Sequence, residues 1–200
     1  MTLDRLRPLA DRALEPFVAG AVRLGFTPDA ISVLAMALAV GAGLAFAAGR
    51  PRWYIVGAAL VFLNGWLDLL DGAVARELSV SSPAGDLLDH VLDRYADIVL
   101  VVGLAAGVGE WVLGLAAVTG VLLTSYLGTQ AQAVGLDRVY AGLVGRADRL
   151  ALIGLGAGFA AFAEGTAWGL GVIGWLLVLL AVVGHLTAVQ RFRLSYRALS

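Results

Sequence analysis

The sequence predicts an all-α integral membrane protein, with six transmembrane helices preceded by an N-terminal amphipathic interfacial helix. Its mean hydropathy is +0.87 and only 14% of its residues are charged, whereas in soluble domains about a quarter are. Six apolar stretches have a length close to the ~20 residues that cross a bilayer core. No linker, low-complexity tract or repeat divides them. We therefore predict a single membrane domain over 1–200, with the interfacial helix in 1–25 and a six-helix bundle in 30–192.

The N-terminal segment spaces its apolar residues near helical period and places arginines and aspartates elsewhere around the helix. This pattern is typical of a helix lying in the membrane interface; the alternative is a helix packed on the protein's own loops. The segment lacks the uninterrupted apolar run and cleavage site of a signal peptide. The predicted spans follow at 30–49, 53–75, 85–107, 111–135, 149–163 and 168–188, of which the fifth is short and rich in glycine.

The basic residues, all arginine, predict the orientation. With six spans, both termini share one side of the membrane, and most arginines fall there, whereas the opposite side has Arg50 and Arg52 only. The arginines of the first side are Arg5, Arg7, Arg12, Arg23, Arg76, Arg138, Arg146, Arg149, Arg191, Arg193 and Arg197, with Arg94 about a turn inside. The positive-inside rule therefore predicts a multi-pass protein of the cell membrane with cytoplasmic termini. The absence of cysteine excludes disulfides and thiolate metal ligands.

Acidic residues concentrate in one segment, 67–97, between apolar runs. They are Asp68, Asp71, Glu77, Asp86, Asp89, Asp93 and Asp97. Asp68 and Asp71 are three residues apart at the end of the second span, and Asp89 and Asp93 are four apart at the start of the third, so each pair shares a helix face. Antiparallel packing of these two helices predicts a cluster of four acids at the cytoplasmic end, which Asp86 and Asp97 extend.

Such a cluster calls for cations, because one carboxylate at bilayer depth costs ~2.5–3.5 kcal/mol. Hard oxygen ligands without nearby His or Cys suit Mg²⁺, Mn²⁺ or Ca²⁺, and two divalent ions would neutralise four carboxylates. Paired ions are typical of phosphoryl displacement. The alternative is a set of internal salt bridges. Only Arg76 and Arg94 are close enough in sequence to form them, which makes two bases for at least four acids.

These residues form the pattern Asp68-x-x-Asp71-Gly72-x-x-Ala75-Arg76, eight residues, then Gly85-x-x-x-Asp89-x-x-x-Asp93. The pattern resembles the complete signature of the CDP-alcohol phosphotransferase family. The resemblance implies that a CDP-linked glycerolipid, CDP-diacylglycerol or CDP-archaeol, gives its lipid phosphate to an alcohol and releases CMP. It also implies that the four motif aspartates hold two Mg²⁺ or Mn²⁺ ions, that Asp93 is the general base, and that Gly72, Ala75, Arg76 and Gly85 line the CDP pocket. Members of this family are commonly homodimers, so a homodimer is expected; no nucleic-acid partner is.

A further element of the family, Thr-Pro-Asn-x-x-Thr, resembles the sequence TPDAIS at 27–32. Asp29 replaces the Asn, which puts a nucleotide contact at that position in question. The same six residues are also an ordinary helix N-terminus with proline and an acid in the first turn.

The acceptor is less well specified. LDRYAD at 92–97, GRADRLAL at 145–152 and AVQRF at 188–192 resemble the branch of the family that uses inositol phosphate. This resemblance makes Arg146, Arg149 and Arg191 candidates to bind an anionic acceptor. However, Gln132 and Val134 stand where that branch carries Lys and Arg. Gln130 and Gln132 could instead hydrogen-bond sugar hydroxyls, and glycerol phosphate or serine are the alternative acceptors.

Two other classes of protein compete with this interpretation. A divalent-cation transporter would distribute carboxylates across the membrane, but here they gather at one end. A catalytically inactive scaffold would bind no metal. The arginines also have an alternative role, anchoring to anionic lipid headgroups.

Overall fold

The computed structural model describes residues 7–80, 82–137, 139 and 141–200, with side chains from residue 13 on. The regular secondary structure of these residues is helical, apart from an isolated bridge between Ala167 and Leu170. The helices are α1 (Arg7–Arg23), α2 (Pro28–Ala47), α3 (Pro51–Leu78), α4 (Pro83–Val108), α5 (Trp111–Ala133), α6 (Arg146–Ala160) and α7 (Val172–Leu199). The predicted all-α class is confirmed for these residues.

Two helices near the acidic segment begin with the same local chemistry. Thr27 Oγ1 accepts a hydrogen bond from the Ala30 N–H at 3.2 Å, and Pro28 is the first residue of α2. Ser82 Oγ accepts from the Gly85 N–H at 3.0 Å, and Pro83 opens α4. A hydroxyl cap satisfies a free N–H group, and proline at the first position has no N–H to leave unpaired. These caps fix where α2 and α4 begin.

The packing of α2 corrects one expectation. We predicted that α3 and α4 pack as neighbours, but α2 packs extensively against both. The contact between α2 and α4 is so close that a Cβ on Gly103 would collide with the backbone of Gly43. Because α2 occupies this position, α3 and α4 meet near the ends that carry the acids rather than along their length.

α1 packs on the same end of the bundle. Leu14 and Val18 are buried in a cluster with Ile31 of α2 and with Leu70 and Val74 of α3. Residues 1–6 of the predicted interfacial helix lie outside the described residues, as does Arg138. The placement of α1 in the membrane interface remains a prediction.

Four helices of the described chain, α2, α3, α5 and α7, are long and apolar enough to span a membrane. α4 carries four aspartates and Arg94, and α6 has 15 residues, which is short for a span. Tryptophans gather near the end of the bundle opposite the acids, where interfacial aromatic residues are expected; they are Trp53, Trp111, Trp168 and Trp175. These features are those of a membrane protein.

Candidate metal centre and active site

Three aspartates meet where α3 ends and α4 begins. One carboxylate oxygen from each of Asp68, Asp71 and Asp89 lies within 4.8 Å of the others. Asp71 is buried, and the other two are half-buried. Asp93, one turn further along α4, lines the same small cavity. An all-carboxylate set of this kind fits Mg²⁺ or Mn²⁺, which prefer hard oxygen ligands.

Two buried polar residues, Ser32 and Asn64, line the same cavity as the carboxylates. Ser32 Oγ donates a 2.7 Å hydrogen bond to Asp71 Oδ2, so the TPDAIS segment both starts α2 and orients a predicted metal ligand. Asn64, one turn before Asp68, is buried and donates through Nδ2 to the Ala35 carbonyl at 2.8 Å. Asn64 is not among the residues predicted from the sequence, although an amide within an apolar helix is a usable signal, because it needs a hydrogen-bond partner there.

Arginines from α6 also reach the acids, which corrects the expectation that only Arg76 and Arg94 could pair with them. The Arg146 guanidinium forms an ion pair with Asp68 Oδ1 and another with Asp93 Oδ1, the latter at 2.7 Å. Arg94 lies 3.5 Å from Asp93. Arg146 is more than fifty residues from these acids in sequence, so local spacing could not reveal the contact.

One turn deeper, Arg149 and Asp97 form a fully buried bidentate pair. Arg149 Nη2 lies 2.6 Å from Asp97 Oδ2, and Nε lies 3.2 Å from Oδ1. The exposed fractions of these side chains are only 4% and 1%. Arg94 approaches the same carboxylate at 3.4 Å. The pair joins α6 to α4 directly beneath the carboxylate cluster.

Among the described residues, the aspartates of this region outnumber the arginines that pair with them. Its five aspartates, counting Asp97, face three arginines, which leaves two negative charges. Two divalent cations together with the two negative charges of a diphosphate diester would bring the total to zero. The residues present thus fit both the metal ions and the class of donor that the sequence suggests.

The four predicted CDP-pocket residues border the carboxylates. Apart from the backbone of its own helix, the Arg76 guanidinium, at 3.5 Å, is the sole described group that a Cβ on Gly72 would contact, so this face of α3 is open to a ligand. Arg76 is exposed and lines a cavity of about 550 Å³ between α1 and α3. A Cβ on Gly85 would lie 3.2 Å from Asp29 Oδ1, which places Asp29 beside the start of α4. Ala75 is half-buried in the last turns of α3.

The five acceptor candidates do not converge. Arg146 is the one that contacts the predicted metal ligands Asp68 and Asp93, whereas the guanidinium of Arg149 is held by Asp97. The buried Arg191 donates to the carbonyls of Ala141 and Thr124, at 2.9 and 2.7 Å.

The two glutamines lie on the last turns of α5. Gln132 is exposed and lines a cavity of about 960 Å³ between α4 and α5, to which Arg94 also contributes. Gln130 is half-buried.

The fold and this site together define a helical membrane protein with a divalent-metal centre at one end of its bundle. A sequence model of the CDP-alcohol phosphatidyltransferase family matches residues 26–189, which is most of the chain. The chain belongs to the CDP-alcohol phosphatidyltransferase family and is a metal-dependent transferase of phospholipid synthesis.

Characterised relatives match along nearly the whole chain. The archaetidylinositol phosphate synthase of Methanothermobacter thermautotrophicus is 31% identical over 194 residues, covering 94% of this chain and 91% of the relative. The phosphatidylinositol phosphate synthase of Streptomyces avermitilis is 32% identical, covering 92% and 78%.

Solved structures show the same fold. The phosphatidylinositol phosphate synthase of Mycobacterium tuberculosis with CDP-DAG bound superposes with a TM-score of 0.80 at 29% identity, covering 92% of this chain and 94% of the other. Its complex with manganese and citrate gives a TM-score of 0.79 at 29% identity, covering 92% and 88%. The metal in that complex is consistent with the carboxylate cluster seen here.

Proposed function

We propose that the protein transfers the lipid phosphate of CDP-diacylglycerol or CDP-archaeol to inositol phosphate and releases CMP. The observation that carries the proposal is the cluster of Asp68, Asp71 and Asp89, with Asp93 beside it. The chain that holds this cluster is similar to archaetidylinositol phosphate and phosphatidylinositol phosphate synthases. In this reaction the acceptor hydroxyl oxygen bonds to the lipid-bearing phosphorus. The bond from that phosphorus to the CMP oxygen breaks, and CMP leaves with the electron pair.

Each motif aspartate has a role in this proposal. Asp68, Asp71, Asp89 and Asp93 hold two divalent cations, which when bound stabilise the negative charge on the diphosphate and on the departing CMP. Asp93 takes the proton from the acceptor hydroxyl. Its position supports that role, since it lines the cavity beside the other carboxylates and lies on the side that faces Arg146. Ser32 keeps Asp71 oriented.

The nucleotide half of the donor binds beside α1 and the start of α4. Gly72 has no side chain and Ala75 has only a methyl group, so the diphosphate can approach the backbone of α3 on that face. Arg76 donates hydrogen bonds to a phosphate oxygen. Gly85 leaves room for the nucleotide at the start of α4. These assignments are supported by the open space at Gly72 and by the cavity that Arg76 lines.

The acceptor enters from the side of α6. Among the arginine candidates, Arg146 is best placed to bind a phosphate monoester, because its guanidinium already lies at the carboxylates. Arg149 and Arg191 act by holding α6 and α7 in place around it. Gln130 and Gln132 are proposed to contact hydroxyls of the acceptor. Because Gln132 and Val134 replace basic residues of the inositol-phosphate branch, glycerol phosphate or serine is the second candidate.

We propose that the protein crosses the cell membrane six times, with both termini and the site on the cytoplasmic side. We also propose that it forms a homodimer. α1 lies in the membrane interface. The arginine distribution supports the orientation. The tryptophans near the opposite end of the bundle support a membrane boundary there.

The base is tested by release of CMP from CDP-diacylglycerol in the presence of Mn²⁺ and inositol phosphate. Asp93→Asn is expected to lower turnover by about 10²-fold or more, because a positioned base contributes roughly 10²–10⁴-fold. Asp86→Asn is the matched control on the same helix, since its carboxylate is 78% exposed, and should turn over like the wild type. Wild-type turnover in Asp93→Asn would exclude Asp93 as the base.

A further inference from the structure

Arg146 engages the same carboxylates that are assigned to the metal. Its Nη2 lies 2.7 Å from Asp93 Oδ1, and its Nη1 pairs with Asp68 Oδ1. The guanidinium therefore bridges α3 and α4 from its place on α6. Only 17% of the Arg146 side chain and 16% of Asp93 are exposed, so water screens these contacts weakly.

A divalent cation and this guanidinium compete for these oxygens. Mg²⁺ sits about 2.0–2.1 Å from its oxygen ligands, so an ion on Asp68 Oδ1 and Asp93 Oδ1 would lie within a few ångströms of the guanidinium. Like charges that close repel strongly where water is scarce. Binding of one therefore disfavours binding of the other at these two atoms.

The local structure allows Arg146 to move without unfolding α6. Arg146 is the first residue of the helix, and the Asp148 carboxylate accepts a 3.0 Å hydrogen bond from the Gly145 N–H, which fixes the backbone there. Its buried Nε has no hydrogen-bond partner among the described residues, so the side chain is incompletely satisfied in this position. Arg149 is the contrast, since Asp97 satisfies both its Nε and its Nη2.

We propose that Arg146 and a divalent cation exchange on Asp68 and Asp93, so that metal binding releases the Arg146 guanidinium to an anionic ligand. By linkage, any interaction that holds Arg146 on the carboxylates weakens metal binding, and metal binding weakens the contact of Arg146 with the carboxylates by the same free energy. The assignment of the released guanidinium to the acceptor rests on the proposed function. The exchange itself concerns only the metal and the chain.

The exchange is tested by Mn²⁺ binding to chelator-treated protein, followed by the loss of the free-ion signal in electron paramagnetic resonance, with no lipid or acceptor present. Arg146→Gln should bind Mn²⁺ about tenfold or more tightly, since it removes charged hydrogen bonds that compete with the metal. Arg146→Lys keeps the charge but loses the two-pronged contact, and should fall between wild type and Arg146→Gln. Arg193→Gln is the matched control: it removes an exposed arginine near the same end of the bundle and should bind like the wild type.

A structure of the Mn²⁺-loaded wild type separates exchange from simple charge repulsion. The proposal predicts that both Arg146 Nη atoms lie more than about 4 Å, the usual limit of an ion pair, from Asp68 and Asp93. An Arg146 still paired with both, or Mn²⁺ affinity in Arg146→Gln no higher than in wild type, would overturn the exchange. Tighter Mn²⁺ binding in Arg146→Gln, together with no turnover of the wild type on inositol phosphate, would leave the exchange standing and refute the acceptor.

Discussion

Replacement of Asp97 by Asn tests the claim that the buried pair with Arg149 holds α6 against α4. The substitution conserves shape but leaves the Arg149 guanidinium, only 4% exposed, without its counter-charge. Removing one partner of a buried ion pair costs about 3–5 kcal/mol, because the remaining charge is stranded away from water. For a domain of this size, that loss corresponds to a fall in Tm of roughly 6–20 °C.

The assay is thermal unfolding of the detergent-solubilised protein, followed by tryptophan fluorescence. Asp86→Asn is the control, because it changes the same group on the same helix where the side chain is 78% exposed. It should unfold at the wild-type temperature. A double variant, Asp97→Leu with Arg149→Met, should regain most of the lost stability, since an apolar pair leaves no buried charge. If Asp97→Asn unfolds together with Asp86→Asn, the pair does not hold the helices, and the reasoning is refuted.

Two further predictions concern the packing and the carboxylates. Gly103→Ala should lower the free energy of unfolding by about 1–3 kcal/mol, since the added methyl meets the backbone of Gly43. In denaturant titrations Gly20→Ala should not be destabilised, because its methyl would have no described neighbour within 4 Å. Equal losses in both variants would contradict the close contact. Ser32→Ala should weaken Mn²⁺ binding about tenfold through the loss of its hydrogen bond to Asp71. Ser32→Thr keeps the hydroxyl and should bind Mn²⁺ with the wild-type affinity. Unchanged affinity in Ser32→Ala would show that Ser32 does not support the site.

Local sequence patterns were enough to predict where helices begin and which acids share a helix face. Thr27-Pro28 and Ser82-Pro83 are start signals whose meaning depends only on the next few residues, and the structure begins α2 and α4 there. The same holds for Asp68 and Asp71, because a spacing of three places both on one helix face whatever surrounds the helix.

Contacts between distant segments could not be predicted in this way. The partners of Asp93 and Asp97 on α6 follow from how α6 packs, and nothing in the spacing of the acids indicates them. The packing of α2 against both α3 and α4 could not be predicted for a similar reason. It depends on glycines that permit a close approach, and the spacing of the acids does not indicate these glycines. The role of Arg191, which donates to two backbone carbonyls, depends entirely on tertiary structure.

The central claim is tested most directly by measuring CMP release from one CDP-lipid with a panel of acceptors, namely inositol phosphate, glycerol phosphate, serine and inositol. The measurement is made with Mn²⁺ and again after its removal by a chelator. The account predicts metal-dependent release of CMP with inositol phosphate and little with the other three. Turnover with glycerol phosphate or serine but none with inositol phosphate would contradict it.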